Sequence, residues 1–359
     1  MKRRIGFLSY WGFGRGMSYV TLNYAKMLIP DYDVFILKQG LNSISEEFKI
    51  DVNVTEYSNY LVDPKMFEQW LVINRLDAIV FNEYNQWITD PNNLIQIAKK
   101  HGVKTYGYLV MERFEDINKY AEYDRIISPT NTFKQFLRSE SYFKSRYVPV
   151  SVDFNEFPEK KKEKNEYFTF FHPAGYGGVM DRKNTDNVVN AFKQLLSENP
   201  SKKMKLILSS QKDLKYEKDD NIEIITKDLN RKELIDLYYK ADVVLLPSKW
   251  ETVGLPIQEA LASGTPVITT DMPPMKEFVK EGLNGFLCKP REVIYPNIMI
   301  KVAEVDTSTL KIKMEASMNE MLLEVLTRNS RKIAFDKYNN EKNRHYFIDM
   351  LKEDLGEDK

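Results

Sequence analysis

Short apolar runs alternate with amphipathic segments along most of the chain. This alternation predicts βαβ units, in which each parallel strand is followed by a helix that packs on the sheet. In the first half, the predicted strands are residues 5–11, 33–38, 77–84, 104–110, 124–130 and 145–150. In the second half, they are residues 167–175, 204–210, 221–226, 241–248 and 265–271. We therefore expect an α/β protein with two mainly parallel sheets.

The strand and helix pattern stops and then restarts. Residues 151–166 contain prolines followed by the charged run EKKKEKNE, which is the composition of an exposed linker. A chain of 359 residues is long enough for two domains. We expect Rossmann-like domains over 1–152 and 166–335, and a C-terminal helix over 336–359 that bridges them. The predicted buried contacts of the C-terminal region are Phe335, Tyr338, Tyr346, Phe347 and Leu351.

The charge balance and the cysteine content limit the possible functions. The 52 basic and 52 acidic residues cancel, which argues against a protein that coats nucleic acid and favours a small polar ligand. Cys288 is the only cysteine, so no intrachain disulfide is expected. No signal peptide and no apolar run of about 18 residues is present. These features predict a cytoplasmic protein, with any membrane contact peripheral and at the inner face.

The stretch ETVGLPIQEALASGTPV predicts a turn and a helix after a buried strand. Pro256 suits the first helical position and Gly264 suits the residue just past the last turn, so the helix is predicted over residues 256–263. Ligands of open α/β sheets bind at the carboxyl ends of the strands. Glu251, which opens the stretch, is therefore predicted to lie at the binding edge of its sheet.

The start of this helix is predicted to bind phosphate. The N–H groups of Val253, Gly254 and Leu255 are expected to point outward at the positive end of the helix dipole, and Gly254 permits close backbone approach. Glu259 is placed to accept hydrogen bonds from two ribose hydroxyls, and Glu251 to accept one from a sugar. This spacing fits a nucleotide sugar. Taken singly, either glutamate also fits a solvated residue near a helix start.

The pattern E-x-x-G-L-P-x-x-E-A-x-A-x-G-x-P-V closely resembles the signature of retaining GT-B glycosyltransferases of the GT4 group. Three other segments resemble the same family in the same order: HPAGYGGVMDRKNTDNVVNAF, LNRKELIDLYYKADVVLLPSKWE and DMPPMKEFVKEGLNGFLCKP. The resemblance implies a GT-B fold, in which an acceptor-side domain and a donor-binding domain face a central cleft. It also implies a retaining transfer from a UDP-sugar or GDP-mannose, without an essential metal or another cofactor.

The resemblance assigns roles to single residues of the second domain. It places Arg182 and Lys183 on the donor diphosphate and makes them, with Glu251, the predicted catalytic residues. Two fixed cations stabilise the negative charge that builds on a departing nucleoside diphosphate. The alternative is a solvated pair at a helix start, but cations are unfavourable at that end of the dipole. Gly177 is also placed on the donor side, and His172 is predicted either to face the donor or to have a core or surface position.

The first domain resembles the family less closely. SYWGFGRGMSYVTLNYAKML is similar to the glycine-rich loop after the first strand, with Gly12, Gly14, Arg15 and Gly16 facing the cleft. Gly14 and Arg15 are the predicted donor contacts. Many relatives carry a histidine after the strand that corresponds to KTYGYLV, but VMERFE stands here. Glu112 is therefore the predicted acceptor-side group, although in the family's usual description a diphosphate oxygen takes the acceptor proton.

Other functions remain open at this point. A GT-A transferase would hold a metal with Asp-x-Asp, but Asp31-Tyr32-Asp33 precedes a strand, which is the wrong end. A glycoside hydrolase would use two carboxylates about 5 to 10 Å apart, whereas Glu251 and Glu259 lie beside cations on one turn and helix. The missing histidine supports the alternative of a catalytically silent subunit that binds a sugar nucleotide or acts as a scaffold. The presence of both glutamates, Arg182 and Lys183 argues against that alternative. The acceptor is a lipid-linked sugar, a polysaccharide, a protein or a small metabolite.

Overall fold

The computed structural model describes residues 2–357 except 13, 15, 84–91, 111–116, 141, 161–164, 177–180, 218 and 294–301. The chain divides into two compact units. The first unit consists of Met1–Ser151 together with Asn340–Lys359, and the second is Val152–Asn339. The second unit is therefore inserted between two parts of the first.

The first unit is built on one parallel sheet. Its strands are β1 (Arg4–Ser9), β2 (Asp33–Gln39), β3 (Asn53–Tyr57), β4 (Ala78–Asn82), β5 (Lys104–Tyr108), β6 (Arg125–Ser128) and β7 (Ser145–Tyr147). Within the described residues, the strand order is β3-β2-β1-β4-β5-β6-β7, and every pairing is parallel. The helices between these strands are α1 (Gly16–Leu28), α2 (Pro64–Asn74), α3 (Asn92–Lys100) and α4 (Asn131–Ser139). All five residues of β4 are buried, as expected for a sheet covered on both faces.

The second unit repeats this plan. Its main strands are β8 (Phe168–Gly175), β9 (Met204–Ser210), β10 (Ile222–Thr226), β11 (Val243–Leu246), β12 (Val267–Thr270) and β13 (Gly285–Cys288). They form a parallel sheet in the order β10-β9-β8-β11-β12-β13. A separate antiparallel pair consists of β14 (Arg291–Val293) and β15 (Val302–Glu304). The order reverses between β8 and β11, and such a switch point is where ligands of doubly wound sheets bind.

Among the described residues, six helices belong to the second unit and one returns to the first. The six are α5 (Thr185–Glu198), α6 (Arg231–Lys240), α7 (Leu255–Ala262), α8 (Met275–Phe278), α9 (Thr307–Ser317) and α10 (Glu320–Lys337). The returning helix is α11 (Asn340–Leu355). Across the described parts of the chain, no helix is long and apolar enough to cross a membrane.

Four strands, β3, β13, β14 and β15, were not among the predicted strands, and part of the predicted linker also differs from the expectation. β3 was not predicted because it is an edge strand without a fully buried residue, so it has no continuous apolar run. β13 was not predicted because its four residues overlap a segment interpreted as a turn. Val152 and Phe157 are fully buried, so the first part of the predicted exposed linker is packed into the second unit.

Helix α11 completes the hydrophobic core of the first unit. The Phe347 ring packs edge-on against Tyr24 at 5.2 Å and against Phe7 at 6.4 Å. The Asn340 side chain donates a hydrogen bond to the carbonyl of Asn23 at 2.9 Å. The prediction that Phe335 and Tyr346 are buried is wrong, since their exposed fractions are 44% and 37%.

Replacement of Phe347 by Ala tests the contribution of α11 to the first unit. We expect Phe347→Ala to lower the free energy of unfolding by about 3 to 5 kcal/mol, because it empties a fully buried site. Tyr346→Ala is the adjacent control, and it should cost about 1 kcal/mol, because this partly exposed ring packs edge-on against Tyr147 and at 4.2 Å against its chain neighbour His345. Urea unfolding of both variants measures the difference. Equal losses would show that α11 does not anchor the first unit through Phe347.

Candidate functional site

Residues 181–185, at the start of α5, hold the two predicted cations in a fixed turn. Asp181 and Asn184 flank them in left-handed backbone conformations, with φ values of 48° and 60°. The N–H of Asn184 donates to the carbonyl of Asp181 at 2.9 Å, and the N–H of Thr185 donates to the Asp181 carboxylate at 3.0 Å. These bonds close the turn and fix the backbone of Arg182 and Lys183 between them.

Both cations bind Glu251, which follows the neighbouring strand β11. Lys183 Nζ lies 2.5 Å from Glu251 Oε1, and Arg182 Nη1 lies 2.8 Å from Glu251 Oε2. The Ser248 hydroxyl donates a further hydrogen bond to Oε1 at 2.9 Å. The structure thus brings the three predicted catalytic residues into one cluster with a net charge of +1. Sequence reasoning did not identify the contribution of Ser248.

The environment of Glu251 keeps its carboxyl ionised. Burial alone would raise the pKa, but the charges of Arg182 and Lys183 and the hydrogen bonds from Lys183 and Ser248 outweigh it and lower the pKa to about 2. The group is therefore a carboxylate throughout the neutral pH range. It is suited to accept hydrogen bonds and to position cations, and it is not suited to donate a proton.

The turn after Glu251 leads into the start of α7. Gly254 has a φ of 62°, and a Cβ atom there would lie 3.1 Å from the Phe278 ring. Among the described residues, none accepts a hydrogen bond from the N–H groups of Val253, Gly254 or Leu255. The predicted start of the helix is wrong by one residue: Gly254 is the N-cap, so α7 begins at Leu255. The three amide donors remain available at the positive end of the helix.

Glu259 lies in a second, separate ion pair. Arg231 Nη1 donates to its Oε1 at 2.5 Å, and the Tyr238 hydroxyl donates to its Oε2 at 3.1 Å. Arg231 also binds the Glu156 carboxylate at 2.8 Å. A capping box of Asn230 and Glu233 fixes the start of α6 and therefore the backbone of Arg231. The Glu259 carboxylate thus joins α6 to α7. The sequence pattern of the helices did not predict this structural role.

Residues 153–294 match the family model described as glycosyl transferases group 1. The matched residues all lie within the second unit of the chain. A stretch of 65 residues is 42% identical to a glycogen synthase of Mycobacterium tuberculosis, and the stretch amounts to 18% of this chain and 16% of that protein. The chain therefore spans only a small part of the length of that relative.

Solved structures are similar to nearly the whole length of the chain. A glycosyltransferase from Rickettsia africae has a TM-score of 0.76 at 15% identity and covers 99% of this chain and 100% of that one. Anabaena HepE, solved with UDP and glucose, has a TM-score of 0.73 at 13% identity and covers 97% and 98%. These comparisons confirm the predicted GT-B fold class of two doubly wound α/β domains.

His172 has a core position in the second unit. Its Nδ1 lies 2.7 Å from the Leu245 carbonyl and its Nε2 lies 3.0 Å from the Thr185 hydroxyl. Burial lowers its pKa to about 4, so the ring is neutral at pH 7, with Nδ1–H donating to the carbonyl. Both nitrogens bind protein atoms. The predicted contact of His172 with the nucleotide-sugar donor is therefore corrected: the side chain links β8, β11 and α5.

The remaining predicted site residues contribute less to the observed geometry. Gly14 is exposed, two residues before the start of α1. Arg15, Gly177 and Glu112 lie outside the described residues. The described part of the candidate site is therefore formed by the loops after β8 and β11 and by the start of α7.

The pH dependence of stability tests the ionised state of Glu251. Its pKa is lower in the folded chain than the ordinary value of 4.5, so its charge stabilises the folded chain above pH 4.5, and this stabilisation is lost as the pH falls toward about 2. We expect Glu251→Gln to lower the free energy of unfolding by about 3 kcal/mol at pH 7 and by progressively less below about pH 4.5. Urea unfolding at several pH values measures this loss.

Glu324→Gln is the matched control, because Glu324 is an exposed residue of α10. This variant should change the stability little at any of these pH values. A Glu251→Gln deficit that stays constant down to pH 3.5 would contradict the lowered pKa.

Proposed function

We propose that the protein is a retaining glycosyltransferase that moves a sugar from a nucleoside diphosphate donor to an acceptor hydroxyl. The observation that carries this proposal is the cluster of Arg182, Lys183 and Glu251, which lies at the switch point of the second sheet. The family match supports the class of reaction. Retention of configuration is supported by the sequence resemblance alone.

The cluster suits the departure of a diphosphate. As the bond between the sugar carbon and the diphosphate oxygen breaks, negative charge grows on that oxygen. The net positive charge of the cluster and the amide donors at the start of α7 would stabilise that charge. These cations take the electrostatic part that a divalent metal plays in other transferases, which supports a reaction without an essential metal.

The other half of the reaction joins the sugar to the acceptor. The acceptor oxygen forms the new bond on the face from which the diphosphate leaves, and its proton passes to a diphosphate oxygen. Glu251 stays ionised and would accept a hydrogen bond from a hydroxyl of the transferred sugar. No dedicated general base is needed in this scheme, in agreement with the absence of a histidine in VMERFE.

The donor is proposed to be a UDP-sugar or GDP-mannose. UDP-glucose is the first compound to test, because HepE was solved with UDP and glucose. In this scheme Glu259 accepts hydrogen bonds from the ribose with lone pairs that Arg231 and Tyr238 leave available. We propose an acceptor that is a glycan, a lipid-linked sugar, a protein or a small molecule, and an enzyme that acts in the cytoplasm or at the inner membrane face.

A catalytically silent subunit is the second candidate, and the missing histidine in VMERFE is the observation that favours it. Release of UDP, GDP or ADP from a panel of sugar nucleotides, with and without acceptors, separates the two candidates. A protein that binds a sugar nucleotide but never releases the nucleoside diphosphate would support the silent subunit.

Replacement of Lys183 tests the phosphate site. Lys183→Ala should weaken the affinity for the nucleoside diphosphate about 10- to 150-fold, because it removes one charge-assisted contact of about 1.5 to 3 kcal/mol. Calorimetry with UDP and GDP measures the change. Lys202→Ala, which removes an exposed cation of the same unit, is the control and should bind as the parent does. Unchanged affinity in folded Lys183→Ala would remove this residue from the phosphate site.

Substitution of the two glutamates separates binding from transfer. Glu251→Gln should leave the affinity for free nucleoside diphosphate intact or raise it, because both cations lose a competing anion, while transfer falls about a hundredfold or more. Glu259→Gln should weaken that affinity and raise the donor KM about tenfold. Melting curves establish that each variant is folded. Transfer at the parent rate by Glu251→Gln, or equal losses of affinity in both variants, would contradict this division of roles.

A further inference from the structure

A cavity of about 660 Å³ lies in the second unit, away from the candidate donor site. Three of its lining residues mark its place: Asn165 precedes β8, Lys240 precedes β11 and Thr265 precedes β12. The cavity is therefore at the amino ends of the strands, whereas Glu251 follows the carboxyl end of β11. A ligand bound here would be on the opposite edge of the sheet from the donor.

The walls of the cavity are strongly basic. They carry five cationic side chains, Lys160, Lys240, Arg328, Arg331 and Lys332, and one carboxylate. The helices α6 and α7 end at this cavity, and each helix end contributes about half a negative charge. Even with both helix ends included, the lining keeps a net charge of about +3. An excess of this size stands out in a chain whose basic and acidic residues balance.

Two of the cations already have a structural role. Arg331 Nη1 donates to the carbonyl of Ala262 in the last turn of α7, at 2.5 Å. Lys160 Nζ lies 3.6 Å from Asp236 and 4.3 Å from the centre of the Tyr239 ring. These contacts account for both side chains without a ligand.

The other three cations have no such explanation. In the part of the chain that the structure describes, no carboxylate lies within 4.0 Å of the charged nitrogens of Arg328 or Lys332. Lys240 acts only at longer range on Glu223, whose ion pair at 2.8 Å is with Lys205. Arg328 and Lys332 are one helical turn apart on α10, so their charged groups line the same wall of the cavity. Like charges on adjacent turns repel, and the repulsion is relieved when an anion binds between them.

The remaining lining suits an organic anion. Ser263 and Thr327 contribute hydroxyls, and the half-exposed ring of Phe335 offers an apolar surface at the same cavity. The volume lies within the range of about 300 to 1,000 Å³ that is typical of small-molecule sites. Arginine is well suited to phosphate because its planar N–H groups bind two oxygens at once. We propose that this cavity binds a phosphate-bearing organic molecule at a site separate from the donor site.

Titration with inorganic pyrophosphate tests the proposal on the full chain. Calorimetry compares the parent with Arg328→Gln/Lys332→Gln and with the control pair Lys202→Gln/Lys232→Gln, which removes two exposed cations from elsewhere in the same unit. We expect the first pair to weaken one pyrophosphate-binding event about tenfold or more, with UDP affinity unchanged, and the control pair to match the parent. Indistinguishable pyrophosphate isotherms for all three proteins would overturn the proposal.

Two further arms complete the test. Arg328 and Lys332 are exposed, so the variant Arg328→Gln/Lys332→Gln should melt as the parent does. If it does not, Lys240→Gln on α6 must weaken pyrophosphate binding to the same extent.

Sedimentation with vesicles of phosphatidylglycerol in phosphatidylcholine distinguishes the sources of phosphate. Vesicle binding that depends on Arg328 and Lys332 identifies a lipid headgroup, and pyrophosphate binding without vesicle binding identifies a soluble phosphate ester. UDP binding reports on the donor site alone. Loss of UDP binding would therefore contradict the proposed function, whereas loss of the pyrophosphate event would concern only this cavity.

Discussion

A buried carboxylate between two cations holds together the loops on which the candidate donor site depends. Glu251 follows β11, and Arg182 and Lys183 follow β8, the strand beside it in the sheet. A buried charge without a partner costs several kcal/mol, so neither loop is stable in this form without the other. The pairing also brings the positive end of α7 next to the two cations. One electrostatic constraint therefore sets the geometry of the whole cluster.

The same sheet uses two further buried polar groups to connect its helices and strands. His172 is neutral and joins β8, β11 and α5 through both ring nitrogens. Glu259 is charged and joins α6 to α7 through Arg231 and Tyr238. Each group is satisfied by partners from other elements, which is the condition under which a polar group is tolerated inside a protein. The residues nearest the candidate site are thus also those that fix its scaffold.

The sequence was informative where a local pattern determines the structure. Apolar runs buried on both faces predicted most parallel strands, but the exposed edge strand β3 has no such run and was not found. The resemblance assigned Arg182 and Glu251 to one function. Their direct contact could not be predicted, because it joins residues far apart in the chain and no sequence-spacing rule applies to such a pair. The pair of Glu259 with Arg231 was not predicted for the same reason, since it depends on how two helices pack.

The return of α11 to the first unit affects the order in which the chain can fold during synthesis. Val152 and Asn339 pair as neighbours in a β-bridge, so the second unit starts and ends at adjacent points and is complete once Asn339 has been made. The first unit, although its sheet is synthesised earlier, lacks the Phe347 ring until the last helix emerges. Domains generally fold as units during synthesis. The inserted unit can therefore reach its native state before the unit that surrounds it in the sequence.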